Sequence, residues 1–197
     1  TPLTSISGNA GILLTNDEIL TKEKKQSLYT DIYDDSLWLI NLVENLLSVT
    51  RIENGTMKLN ISPQIIEDVI YEALDHVNRK KIEHHIDVEI ADEFLMGDMD
   101  VRLIVQVIIN IVDNAIKYTP KGSNIMIRSY KKEGMVYIEI FDDGPGIPDD
   151  KKEKIFDKFY SANNQIVDSK RSLGLGLALC KSIINAHGGT ISVSDHK

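Results

Sequence analysis

Cysteine is almost absent. Cys180 is the single cysteine in 197 residues, which excludes an internal disulfide and a thiolate-rich metal site and fits a reducing compartment. Basic residues are in deficit: Lys plus Arg is 22 against 30 for Asp plus Glu, a formal net charge of −8. A nucleic-acid backbone and an anionic membrane face both favour a basic surface, so neither is expected as the main partner. No apolar run reaches the roughly 20 residues needed to span a bilayer, and Thr1-Pro2-Leu3 does not open a signal peptide. Internal repeats, low-complexity tracts and the Gly-x-x-x-x-Gly-Lys-Ser/Thr phosphate loop are missing as well. What is present, 42% hydrophobic and 26% charged residues, is the balance of a globular chain with one large domain or two small ones. A first residue other than Met and a strand-like tail make it an expected piece of a longer protein.

The two parts of the chain differ in rhythm. Residues 1–54 read as helical. Leu3, Ile6, Ala10 and Leu13 recur at spacings of three and four, a polar break follows at Thr15-Asn16-Asp17-Glu18, and Thr21 is placed to cap a second helix. From residue 22 to 54 there is neither glycine nor proline, and Leu28, Ile32, Leu39, Leu42, Leu46 and Val49 form a wide apolar stripe. A helix of that length, ~50 Å, is too long to be covered by the short helix before it. An antiparallel helical hairpin that pairs with its twin in a dimeric four-helix bundle would bury such a face. Asn54-Gly55 ends the pattern. The alternations at 57–61, 85–90, 124–130, 135–141 and 190–193 then predict strands, with helices from Pro63 to about Asn78, up to Tyr118, and from about Leu173 to Ala186. The reading is α+β: a hairpin over 1–55 with its first helix truncated, then an α/β sandwich over 56–197 with a mixed sheet, helices on one face, and its last strand truncated.

Three segments could carry chemistry. Asp142 lies where a strand gives way to a loop, and Gly144 and Gly146 let a ligand approach the backbone. A buried carboxylate there could accept a hydrogen bond from an exocyclic amine such as adenine's, although Asp-Gly and Pro-Gly also mark a plain turn. Asn110, Asn114 and Lys117 share one face of a very apolar helix. Buried amides need partners: an Asn carbonyl suits Mg²⁺ and Lys117 suits a phosphate, or the three form a polar surface stripe. Gly174-Leu175-Gly176-Leu177 opens a helix, which makes an anion site. A Rossmann fingerprint fails there, because Leu179 stands where Gly or Ala is needed and polar loop precedes in place of a strand.

In that order, within about 70 residues, the segments resemble the ATP-binding domain of sensor histidine kinases of two-component systems, in the GHKL superfamily. Asn110 to Tyr118 is similar to its N box, Asp142 to Ile147 to its first glycine box, Ile155 to Tyr160 to its F box and Gly174 to Leu177 to its second glycine box. Thr1-Pro2-Leu3 resembles the tail of its H box, so the likeness spans nearly the whole chain, and within the family it is most similar to KdpD-type kinases.

The resemblance implies ATP and Mg²⁺ as ligands. Asp142 would read the adenine amine, Asn114 would hold the metal with Asn110 in support, Lys117 would touch phosphate and Tyr118 would lie against the nucleoside. Gly144, Gly146, Ile147, Phe156, Gly174, Leu175, Gly176 and Leu177 would shape the pocket and a lid running from Phe156 to Leu173. The phosphoacceptor histidine would lie four residues before Thr1. None of His76, His84, His85, His187 or His196 sits in an H box; His187 reads as a helix-terminal residue and His84-His85 as a solvated pair. Ser161 and Ser172 replace an Arg and a Gly common in the family, and Thr1 matches a residue that orients water for dephosphorylating a response regulator. The expected partners are ATP, a second copy through residues 1–54 and a receiver domain, in the cytoplasmic portion of a membrane-anchored sensor with no membrane contact of its own. A non-catalytic ATP-sensing scaffold is the alternative; a GHKL chaperone fits less well, because those usually carry Glu at the position of Asn110.

Overall fold

The computed structural model describes residues 2–16, 18–77, 83–92, 94–160 and 174–195. Internal contacts divide the chain into two units, Thr1–Ser48 and Val49–Lys197.

The first unit contains α1 (Pro2–Asn16) and most of α2 (Lys22–Glu53). Thr21 caps α2 as its sequence predicts, its hydroxyl accepting the Lys24 N–H at 3.3 Å. Leu13 and Leu28 are buried, whereas Leu3, Leu14, Ile40, Val43 and Leu47 are exposed.

The second unit runs β1 (Ser62–Ile65), α3 (Ile66–Val77), β2 (His85–Ile90), β3 (Met96–Met99), α4 (Val101–Tyr118), β4 (Asn124–Lys132), β5 (Met135–Asp142), the short α5 (Asp149–Lys152), a 3₁₀ turn (Lys154–Phe156) and α6 (Gly176–Ala186). β2 pairs parallel with β4, and β4 antiparallel with β5, giving the mixed sheet; β1 and β3 form a separate antiparallel pair. Inward residues of β2 and β4 (Ile86, Val88, Ile127) pack with Ile70 of α3, Ile108 and Val112 of α4, and Leu179 and Ile183 of α6. Each fully buried Ile or Leu contributes about 1.5–3 kcal/mol. Glu133 and Gly134 turn β4 into β5 with φ of 52° and 82°, positive at both positions as a tight two-residue hairpin requires.

The apolar periodicity of α4 buries Leu103, Ile104, Val107, Ile108, Val112 and Ala115. At its start Asp100 does not cap it by side chain. The carboxylate instead accepts the Asn60 N–H at 3.0 Å, and the Asp100 N–H donates to His187 Nε2 at 3.0 Å. His187 Nδ1 lies 2.8 Å from the Ile183 carbonyl and donates to it, so the ring is a neutral staple from the end of α6 to the start of α4. At the C-terminus, the Ala115 carbonyl accepts both the N–H (3.1 Å) and the hydroxyl (2.7 Å) of Thr119, and Pro120 bars continuation.

Several expected elements are corrected. Residues 57–61 and 190–193 form no strand. Met57, Leu59, Ile191 and Val193 do alternate inward, so the period records burial, but no ladder partner meets them among the described residues. Pro63 lies inside β1 rather than opening a helix, tolerable on a strand of an isolated pair where its missing N–H is not needed, and α3 starts at Ile66. β3 and α5 were not foreseen, being four residues each. α6 begins at Gly176.

Ser129, in the middle of β4, is fully buried, and its hydroxyl has no hydrogen-bond partner among the described residues. Removing an unsatisfied buried hydroxyl relieves its desolvation cost. Ser129→Ala should raise unfolding stability by about 1 kcal/mol, read as a higher urea midpoint at unchanged slope.

Candidate nucleotide site

Three of the sequence segments meet along the last turns of α4. Asn110 is partly buried, and among the described residues its side-chain nitrogen has no hydrogen bond apart from an interaction with the weakly accepting Cys180 sulfur. A buried amide donor so weakly satisfied can take a further acceptor. A Cβ added to Gly176, the first residue of α6, would stand 3.9 Å from the Asn110 amide, so the glycine-opened helix faces it without a side chain between. The backbone there passes one short contact from the amide.

Nine residues further along α4, about 14 Å at helical rise, the strand-end segment arrives. Gly144 N–H donates to Asp142 Oδ1 at 2.9 Å. A Cβ on Gly144 would stand 2.6 Å from that oxygen and 3.1 Å from the Thr119 methyl. Asp142 and the end of α4 are thereby neighbours. Asp142 is exposed, which corrects the expectation of a buried carboxylate: β5 ends at this residue, leaving the side chain at the open mouth. Asp143 turns to β4, its carboxylate accepting the Asn124 N–H at 3.1 Å; that bond holds its carboxyl below the usual range.

Asn114, Lys117 and Thr119, with Asp113, Ile116 and Lys121, line a cleft of about 400 Å³ whose other wall is Glu83 and His84; Asn110, Asp142, Gly144 and Gly176 are not among its lining residues. The Lys117 ammonium lies 5.1 Å from the Tyr118 ring, which is half exposed. Both ring nitrogens of His84 are buried without a partner among the described residues, so His84 is not half of a solvated pair; His85 is exposed on β2. Cys180, behind Asn110 on α6, is buried, and burial pushes its thiol up to about 12, leaving it a packing group rather than a nucleophile.

The remaining predicted residues frame the site. Ile147 and Phe156 are partly buried, Phe156 under Lys181 of α6 at 5.9 Å. Leu175 is 1% exposed, so its side chain anchors the loop in the core and only its backbone is available. Leu177 is partly buried. Gly174, at φ +64°, accepts the Phe159 N–H at 2.9 Å and packs against the Phe159–Tyr160 peptide. Those contacts close the two ends of 161–173 on each other. Most of the Phe156–Leu173 lid, with Ser161 and Ser172, falls outside the described residues, as do Thr1 and His196. Sequence reasoning missed Thr119, whose place between the helix end and Pro120 was the available signal, and Lys152, which had none.

In this two-layer α/β fold an amide-bearing helix meets a glycine-opened helix near Asn110 and a strand-end loop near Thr119, the arrangement of parts expected of a nucleotide-binding ATPase domain. The family model for histidine kinase-, DNA gyrase B-, and HSP90-like ATPases matches residues 99–197, and the chain belongs to that family. It is 45% identical over 190 residues to the sensor protein KdpD of Clostridium acetobutylicum, covering 96% of this chain and 21% of that protein. The chain thus spans about a fifth of the length of the two KdpD proteins it matches. Among solved structures it is similar to the Acinetobacter baumannii histidine kinase AdeS (TM-score 0.73, 24% identity, 94% of this chain and 84% of that one), which speaks for the fold alone. It is also similar to histidine kinase ThkA in its complex with response regulator protein TrrA (TM-score 0.72, 26% identity, 100% of this chain and 55% of that one). The resemblance to sensor histidine kinases, KdpD-type among them, holds.

Proposed function

We propose that this chain is the ATP-binding and dimerising region of a two-component sensor histidine kinase, which moves the γ-phosphoryl of ATP to a histidine upstream of Thr1 and thence to a response-regulator aspartate. The observation that carries the reading is the approach of Gly176 to the Asn110 amide, whose Cγ and Oδ1 would lie 3.9 Å from a Cβ there, with Asn114 and Lys117 following on the same helix face. In the transfer the bond from the γ-phosphorus to the β,γ-bridging oxygen breaks, a phosphorus–nitrogen bond forms, and the imidazole gives up its proton. Positioning and charge stabilisation supply most of the acceleration.

Asp142 accepts the adenine amine with the carboxylate oxygen not used by Gly144, Tyr118 lies along the nucleoside, and Lys117 meets phosphate as a point charge. Asn110 donates a side-chain N–H to a phosphate oxygen or to a metal-bound water. The donor set fits Mg²⁺: the Asn114 and Asn110 amides offer hard carbonyl oxygens, and Mg²⁺ takes few protein ligands beside phosphates and waters. Asn114 through its carbonyl, supported by Asn110, would hold the ion, which when bound neutralises phosphate charge. Gly144, Gly146, Ile147, Phe156 and the segment 174–177 shape the walls. Residues 1–54 pair with a second copy, through exposed apolar side chains of α2 such as Ile40, Val43 and Leu47. The reading places the chain in the cytoplasmic portion of a membrane-anchored sensor; no helix among the described residues is long and apolar enough to cross a membrane.

In calorimetry the chain should bind MgATP, and with the upstream residues restored it should acquire acid-labile, alkali-stable phosphate. Absence of that label from the intact protein removes the kinase reading. Asn114→Ala should abolish the tightening of ATP binding by Mg²⁺ while ATP alone binds as before; a variant that keeps the wild-type Mg²⁺ response takes Asn114 out of the metal site.

A further inference from the structure

Lys152 closes α5 with a side chain only 17% exposed. Its ammonium donates to Asp149 Oδ1 at 2.5 Å and to Asp195 Oδ2 at 2.7 Å. The two partners are unequal. Asp149 is three residues away on the same turn and 92% exposed, so its bond joins α5 to itself. Asp195 is 43 residues away on the extended C-terminal segment, and its other oxygen, Oδ1, stands 3.9 Å from where a Cβ on Gly146 would be. Gly146 holds φ +72° in the loop that follows Asp142. One cation thus ties the helix after the glycine loop to the segment at Asp195, whose carboxylate lies beside the turn at Gly146.

Residues 190–195 form no ladder bonds among the described residues; Ile191 packs on the core, and further along the Lys152–Asp195 pair is a long-range polar contact. We propose that Lys152 is a positioning residue for nucleotide binding, bracing Asp195 against the Gly146 turn so that the loop after Asp142 keeps the shape that receives the purine end of the ligand. The inference rests on the nucleotide reading above. Lys152 acts through Asp195 and the loop and does not touch the ligand.

The measurement is titration of the chain with adenosine, ADP and MgATP. Lys152→Met and Asp195→Asn should each raise the Kd for all three ligands by the same factor, about fivefold, and the double variant should be no worse than either single one, since both remove one contact. Lys152→Arg should restore wild-type binding and Asp149→Asn should leave it unchanged. The ratio of ATP affinities with and without Mg²⁺ should keep its wild-type value, because the brace acts at the adenine end; general loosening of the site would disturb that ratio. Wild-type adenosine affinity in either Lys152→Met or Asp195→Asn overturns the brace, and so does a double variant whose losses add. If the wild-type chain itself binds none of the three ligands, the nucleotide reading fails rather than the brace.

Discussion

Gly174→Ala should weaken MgATP binding by about 10- to 100-fold, the largest loss expected from removing no functional group at all. Two costs coincide at this residue. At φ +64°, an L side chain meets its own carbonyl and costs roughly 1–2 kcal/mol. The added Cβ would also fall 2.4 Å from the Tyr160 carbonyl oxygen and 2.8 Å from the Phe159 carbonyl carbon and the Tyr160 nitrogen. These are backbone atoms, which cannot swing aside as a side chain would. Relief requires separating the 159–160 strand of the stem from Gly174, which breaks the 2.9 Å bond from Phe159 N–H to the Gly174 carbonyl and shifts Gly176, the residue facing Asn110. Gly188→Ala is the control. It shares the positive φ, 75°, but a Cβ there meets nothing within 4 Å, so it should cost about 1 kcal/mol of stability and leave nucleotide affinity untouched. Calorimetry and chemical denaturation on both variants separate the outcomes; Gly174→Ala with wild-type affinity would show that the stem does not shape the site.

The legibility of this chain in its sequence follows a physical division. Helices were legible wherever a long apolar stripe had clear stops: α4 ends at Thr119-Pro120, and α2 starts at Thr21, because capping and stopping are local events. The β4–β5 hairpin was legible for the same reason, its Glu133-Gly134 turn being encoded in two adjacent residues. Strand pairing was legible only as burial. Met57, Leu59, Ile191 and Val193 alternate inward as their sequence demands, yet whether a ladder forms depends on a partner edge that the alternation does not specify. Pro63 was misread because its local preference for a first helical turn is met equally by a strand position that needs no N–H. At the site, Asn110, Asn114, Asp142 and Gly176 could be found because their residue types are costly or unusual where they stand. The staple at His187 and the Lys152–Asp195 pair could not, since each acts through a neighbour 87 or 43 residues away.

Asp142→Asn tests the purine end most directly. The substitution keeps size and shape, and the Asn carbonyl can still accept the Gly144 N–H that Asp142 Oδ1 holds at 2.9 Å, so the glycine loop should survive. What changes is the second position: an acceptor becomes an NH₂ donor, set against the amine of adenine, itself a donor. Losing a charge-assisted bond and opposing two donors should cost about 1–3 kcal/mol, or roughly 10- to 100-fold in Kd for ATP. Solvent at the exposed Asp142 softens neither term once a bound base covers the carboxylate. The same swap favours a purine with an oxygen in place of the amine, because the new NH₂ donates to it. Inosine triphosphate should therefore bind the variant better than it binds the wild type, and the preference for ATP should shrink or reverse. General damage to the fold lowers both affinities together, so the reversal belongs to a direct contact at that atom. A variant that loses neither ATP affinity nor discrimination between the two bases would place the adenine amine elsewhere, and with it the orientation of the whole nucleotide along α4.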